Sequence, residues 1–201
     1  SSASLLGISF SASFSVSFSA RAAGCEPVDE ALYNLGFARF RTQLLQISAR
    51  KDVQALQQVV SPQIKMSFGD QQGWKAFVEN WALDKNPERS NFWEKLDETL
   101  TLGGRFTNPQ AFMAPYPFHC KAIKDAYTDA VVIAKNVSLR EAPTTASTLL
   151  GQLSFTIVEI IEEQRDWAQV KTDTGQTGYI AKLYLRRLID CRPGFIQTAE
   201  G

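Results

Sequence analysis

Apolar residues recur at helical spacing through the first half of the chain and at strand spacing through the second. Tyr33, Phe37, Phe40, Leu44 and Ile47 fall on one face of a helix that begins near Asp29, with Gly36 a weak point inside it. Asp52 is placed to cap a following short helix whose inner face is Val53, Leu56, Val59 and Val60, and Pro62 stops it. Ile64, Met66 and Phe68 then alternate as a strand ended by Gly69-Asp70. Trp74, Phe77, Val78 and Trp81 stand at i, i+3, i+4 and i+7, the spacing of a buried helical stripe. Ser90 caps a further helix carrying Trp93, Leu96 and Leu100, which stops at Gly103-Gly104. Pro109, Pro115 and Pro117 break the next stretch of chain into extended segments.

From Asn136 the period changes. Val137 and Leu139 alternate with polar residues until Pro143, and Leu149 to Leu153 comes after it. Next comes Thr156 to Ile161, of which Val158 to Ile161 is too apolar to orient by alternation, and then Trp167-Ala168-Gln169-Val170. A tight Thr172-Asp173-Thr174-Gly175 turn leads to Gly178-Tyr179-Ile180-Ala181. Short strands at close spacing with turn residues between them predict a small all-β barrel.

The same stretch closely resembles the bacterial SH3-like domain of cell-envelope proteins. The residues that carry the resemblance are Asn136 to Arg140, Ala142-Pro143, Leu150-Gly151-Gln152-Leu153, Asp166 to Val170 and Gly178-Tyr179-Ile180. One departure is Phe155, in a turn where the family usually has Gly. The resemblance implies non-catalytic binding of peptidoglycan or peptides. Upstream, Ser67-Phe68-Gly69, Gly73-Trp74, Leu102-Gly103-Gly104 and Ala114-Pro115-Tyr116 loosely resemble regions that precede such barrels in uncharacterised bacterial proteins, and no activity comes with that likeness.

The first 20 residues carry no charge and lead into Ala20-Arg21-Ala22-Ala23-Gly24-Cys25. An apolar, small-residue run ending in Ala-x-Ala predicts a signal peptide over 1–24, although its basic start and an initiator Met are missing, as in a truncated chain. Ala22-Ala23-Gly24-Cys25 is similar to a lipoprotein box, with Ala22 where that box has Leu, and marks Cys25 as a lipidation site that would anchor the chain to a membrane. The alternative is a strand, since Ile8, Phe10, Phe14, Val16 and Phe18 alternate with serine. Twenty-one basic residues balance 21 acidic ones, so nothing argues for a nucleic-acid partner.

Cys120 precedes the barrel and Cys191 comes after its last strand, so the two are expected to form a disulfide, which needs an oxidising compartment. The alternative is three free thiols in a cytosolic protein. His119, the one histidine, has no second His and no Cys-x-x-Cys spacing beside it for zinc, and reads as structural or merely exposed. Glu94, Asp97 and Glu98 line one helical face, where two carboxylates could share acid–base work or simply be solvated beside Lys95. Gly69 to Gly73 lacks the Lys-Ser/Thr of a phosphate loop and reads as a turn. Trp167 reads first as core, with a face that can also stack on a ligand; Tyr179 and Tyr184 are contact candidates, and Arg140 and Lys182 flank the same groove.

The expectation is therefore an α+β multidomain chain. A mainly helical domain over 26–118 precedes a small all-β SH3-like barrel over 128–190 and a C-terminal tail over 191–201. The expected function is binding, without metal or cofactor, of peptidoglycan or an envelope protein, in the periplasm or at the cell envelope. The rival expectation is a wall-targeted enzyme acting through the N-terminal domain, where Asp70, Glu79, Glu94 or Asp97 would cluster.

Overall fold

The computed structural model describes residues 24–66, 72–190 and 193–196. Within them, the helix expected from Asp29 is divided at Asn34. Asp29 caps a single 3-10 turn, Glu30–Tyr33, and Asn34 then takes an extended backbone (φ −121°, ψ 100°). The Asn34 side chain accepts from the Phe37 N–H at 2.9 Å and so starts α1 (Leu35–Arg50) afresh. The restart takes Tyr33 out of phase: it is 89% exposed, whereas Leu44 and Ile47 are buried. Arg41 returns to Asp29 in a 2.7 Å ion pair, holding the 3-10 turn against the helix.

Asp52 accepts from the Ala55 N–H and caps α2 (Val53–Val59) as expected. Of the expected strand after Pro62, Lys65 makes an isolated bridge with Gln72, while Phe68, Gly69 and Asp70 lie outside the described residues. In α3 (Gly73–Asn80) Phe77 is buried, with the Trp74 ring stacked on it at 5.7 Å. The Ser90 hydroxyl accepts from the Phe92 N–H at the start of α4 (Phe92–Thr101), whose Trp93, Leu96 and Leu100 are buried. These four helices share one apolar core built on Ile47, Leu56, Phe77, Trp93 and Leu100. Among the described residues no helix is long and apolar enough to cross a membrane.

The C-terminal part is rich in strands. β1 (Arg105–Asn108) and β2 (Ala111–Met113) form a hairpin. Seven further strands come next: β3 (Asp129–Val132), β4 (Val137–Arg140), β5 (Leu149–Leu153), β6 (Ile157–Glu163), β7 (Trp167–Lys171), β8 (Thr177–Ala181) and β9 (Leu185–Arg187). They make one antiparallel sheet in the order β5-β4-β8-β7-β6-β3-β9. Val137, Leu139, Val158, Ala168, Val170 and Ile180 point into its core. The apolar run in β6 is resolved by a register shift between Ile160 and Glu162, which leaves Ile161 51% exposed while Val158 stays buried.

Within the stretch expected as a tail, Gly194–Ile196 forms β10 and pairs antiparallel with β2. Phe195 thereby packs on Phe37 and Phe40 of α1, with ring centres 5.5 and 6.0 Å apart.

The disulfide joins Cys25 to Cys120, with Cα atoms 5.7 Å apart. This corrects two expectations. Cys120 is a disulfide cysteine, but its partner is Cys25 and not Cys191, which lies outside the described residues. Cys25 is therefore not a lipidation site either, because one sulfur cannot hold a disulfide and a lipid thioether together. The cause is local: the Cys25 N–H donates to the Phe155 carbonyl at 2.6 Å and Gly24 bridges Thr156, so this segment is laid along the β5–β6 turn beside Cys120. Apart from Gly24, the expected signal peptide lies outside the described residues.

Candidate functional site

Alternation in β7 and β8 decides which side chains face outward. Ala168, Val170, Gly178 and Ile180 are buried, so Trp167, Gln169, Tyr179 and Ala181 stand on the opposite, half-exposed face. Strand register sets them side by side. Arg140 of β4 pairs with Tyr179 of β8, Tyr179 with Gln169 of β7, and Gln169 with Glu162 of β6. The result is a row across four strands with a cation at one end, a carboxylate at the other and a phenol ring between. Trp167 is one step diagonal from Tyr179, within reach of a large aromatic side chain. The Arg140 guanidinium is oriented by donating to the Ser147 carbonyl at 2.8 Å.

Gly178 permits this arrangement. A Cβ there would lie 2.8 Å from Leu139 Cγ and 2.9 Å from the Arg140 carbonyl oxygen, so any larger residue would push β8 off β4 and separate Tyr179 from Arg140. Phe155, in the turn where the resemblance expects Gly, adopts that residue's left-handed backbone at φ 51°.

Of the five sequence-predicted contact residues, the row brings together Arg140 and Tyr179, with Trp167 adjoining. Tyr184 lies in the 3-10 turn Lys182–Tyr184 after β8, 38% exposed, next to Leu183 at 67%. Lys182 goes elsewhere. Its Nζ is 2.9 Å from Glu163, at one end of the seven-stranded sheet, where Arg187 meets the same carboxylate. Sequence reading missed Gln169 and Glu162; counting alternate residues outward from buried Val170 would have found Gln169, whereas the β6 register shift hides Glu162.

Lys182 and Glu163 belong to a cleft of about 380 Å³ between α4 and that end of the sheet. On the helical wall Lys95 and Glu98 pair at 3.0 Å, and Arg186 of β9 reaches the same Glu98 carboxylate. Burial raises the Glu98 pKa, but hydrogen bonds and charge from Lys95 and Arg186 outweigh it and hold the carboxyl below its ordinary value. The hydrogen bond from Lys182, opposed by burial and aided by Arg187, likewise lowers Glu163. Both groups are thereby kept as carboxylates, the opposite of what a general acid at neutral pH requires. His119 is engaged through Nε2 with the Met113 carbonyl at 3.1 Å. Among the described residues no cluster of three His, Cys, Asp or Glu comes together as a metal site.

Residues 135–186 match the family model of the bacterial SH3 domain, from just before β4 into β9, and the chain thus carries a bacterial SH3-like domain. β3 lies outside the matched stretch yet pairs with both β6 and β9. No curated protein matches the chain.

Proposed function

We propose that the protein is an exported, non-catalytic binding protein whose barrel recognises peptidoglycan or an envelope peptide or protein partner. In this reading residues 26–118 and 128–190 are two domains, the second presenting the ligand-binding face. The observation that carries it is the Arg140–Tyr179–Gln169 row with Trp167 beside it, on the half-exposed face of a bacterial SH3-like sheet. Flat aromatic faces flanked by fixed donors suit sugars and peptide backbones, which offer both apolar surface and acceptors. A disulfide that closes the chain between Cys25 and Cys120 agrees with a periplasmic or envelope location, since such bonds persist where conditions are oxidising.

The test is co-sedimentation of the purified full chain, disulfide intact, with isolated peptidoglycan sacculi, beside a Tyr179→Ala/Tyr184→Ala variant. Saturable pelleting that the variant loses supports wall recognition by this face. Absence of pelleting by the wild type at every salt concentration removes the peptidoglycan reading and leaves a peptide or protein partner.

A further inference from the structure

The cleft between α4 and the end of the seven-stranded sheet has a charge inventory that the outer-face row does not explain. Four cations face it: Lys95 from α4, Lys182 from the turn after β8, and Arg186 and Arg187 from β9. Three carboxylates are already shared among them. Glu98 accepts from Lys95 and Arg186, Glu163 from Lys182 and Arg187, and Asp190 lies 3.6 Å from Arg187. Two lysines with three N–H donors each and two guanidiniums with five each exceed what three carboxylates can accept. The remaining carboxylate, Glu94, is exposed at the rim and has no ion pair or hydrogen bond among the described residues. Ile160, Ala168 and Leu185 contribute apolar lining.

We infer that this cleft is a second binding site, for a small zwitterion such as a free amino acid or the ends of a very short peptide. The ligand carboxylate takes the remaining donor of Lys182, whose other contacts are Glu163 and the Gln164 carbonyl at 3.4 Å, and a spare donor of Lys95 on the opposite wall, and its ammonium meets Glu94. The volume is at the small end of ligand pockets, about 300–1,000 Å³, which fits a ligand of this size and not a folded partner. Net charge agrees: four cations against three engaged carboxylates leave one positive charge inside, matched by Glu94 outside. Because α4 supplies one wall and the barrel the other, occupancy joins the helical part of the chain to the strand-rich part.

The test is calorimetric titration of the full chain with L-alanyl-L-alanine, its C-terminal amide and its N-acetyl form, each variant first checked for wild-type circular dichroism. The free dipeptide is expected to bind saturably. The amide, and Lys182→Gln or Lys95→Gln protein with the free dipeptide, should bind about tenfold more weakly, as for loss of one charge-assisted hydrogen bond. The N-acetyl form and Glu94→Gln should also bind less well, while Tyr179→Ala binds as wild type does. No saturable binding up to the solubility limit overturns the inference, as does equal binding of acid and amide. Loss of dipeptide binding in Tyr179→Ala would move the ligand to the sheet face and overturn it too. Sacculus pelleting depends on Tyr179 and dipeptide binding on Lys182, so the two sites fail separately.

Discussion

Arg186 of β9 donates to Glu98 of α4 across 88 residues of sequence, and it is only 13% exposed where it does so. The contact ties the edge strand of the seven-stranded sheet to α4. Glu98 is a third exposed and also accepts from Lys95.

Arg186→Ala is therefore expected to cost about 1–2 kcal/mol, more than an exposed pair and less than a fully buried one. Because the folded Glu98 pKa lies below its ordinary 4.5, the contribution is complete above that value and is lost as pH falls through the folded one. Urea titrations at pH 7 and pH 3.5 should show the variant's deficit shrinking at the lower pH. A deficit equal at both would mean that Arg186 stabilises through packing alone.

The disulfide encloses a long stretch, its cysteines 95 positions apart. Chain cross-linking at that separation predicts that Cys120→Ser lowers stability by about 2–4 kcal/mol. Non-reducing peptide mapping should recover a Cys25–Cys120 crosslink. Recovery of Cys120 joined to Cys191 would contradict the pairing.

Phe155 holds φ 51°, a conformation that glycine adopts freely and β-branched residues resist. Phe155→Gly should stay within about 1 kcal/mol of wild type, because relief of the backbone offsets lost contacts. Phe155→Val should be the less stable of the two. Denaturant midpoints measured side by side decide this, and the reverse order would show that the ring's packing outweighs the backbone.

Gly178→Ala sets a methyl against Leu139 and the Arg140 carbonyl. Overpacking of this kind costs about 1–3 kcal/mol and should lower the melting temperature. The same variant should weaken binding at the sheet face, since it separates Tyr179 from Arg140. An unchanged melt would show that β8 is free to shift.

Whatever depends on near neighbours could be read from the sequence. The Trp74–Phe77 stripe, the Asp52 cap and the Gly178-Tyr179-Ile180 strand each declare themselves within a few residues, and each is present as an element. The break at Asn34 was hidden because Tyr33 keeps helical spacing with Phe37 and only the cap geometry of Asn34 separates them. Cysteine pairing is a tertiary property: three cysteines allow three pairs, and the choice rests on Cys25 lying along the Phe155 turn. The α4 cleft was equally hidden. Glu94 and Glu98 sit beside Lys95 in the chain, but Glu163, Asp190, the arginines and the second lysine arrive from distant stretches of it. Lys182 looked like a neighbour of Tyr179 for the same reason, three positions apart in sequence yet turned to Glu163 once β8 ends.

The return of the chain from β9 to β10 has a mechanical consequence. The barrel does not hang from a single tether: its incoming strand neighbour, β2, is gripped again by β10 on the way out, and Phe195 is wedged between the rings of α1. Because Met113 and Gly194 are paired, the chain leaves both strands for the seven-stranded sheet from the same end, so a pull on that sheet would load β2 and β10 together and pass the tension through Phe195 into α1.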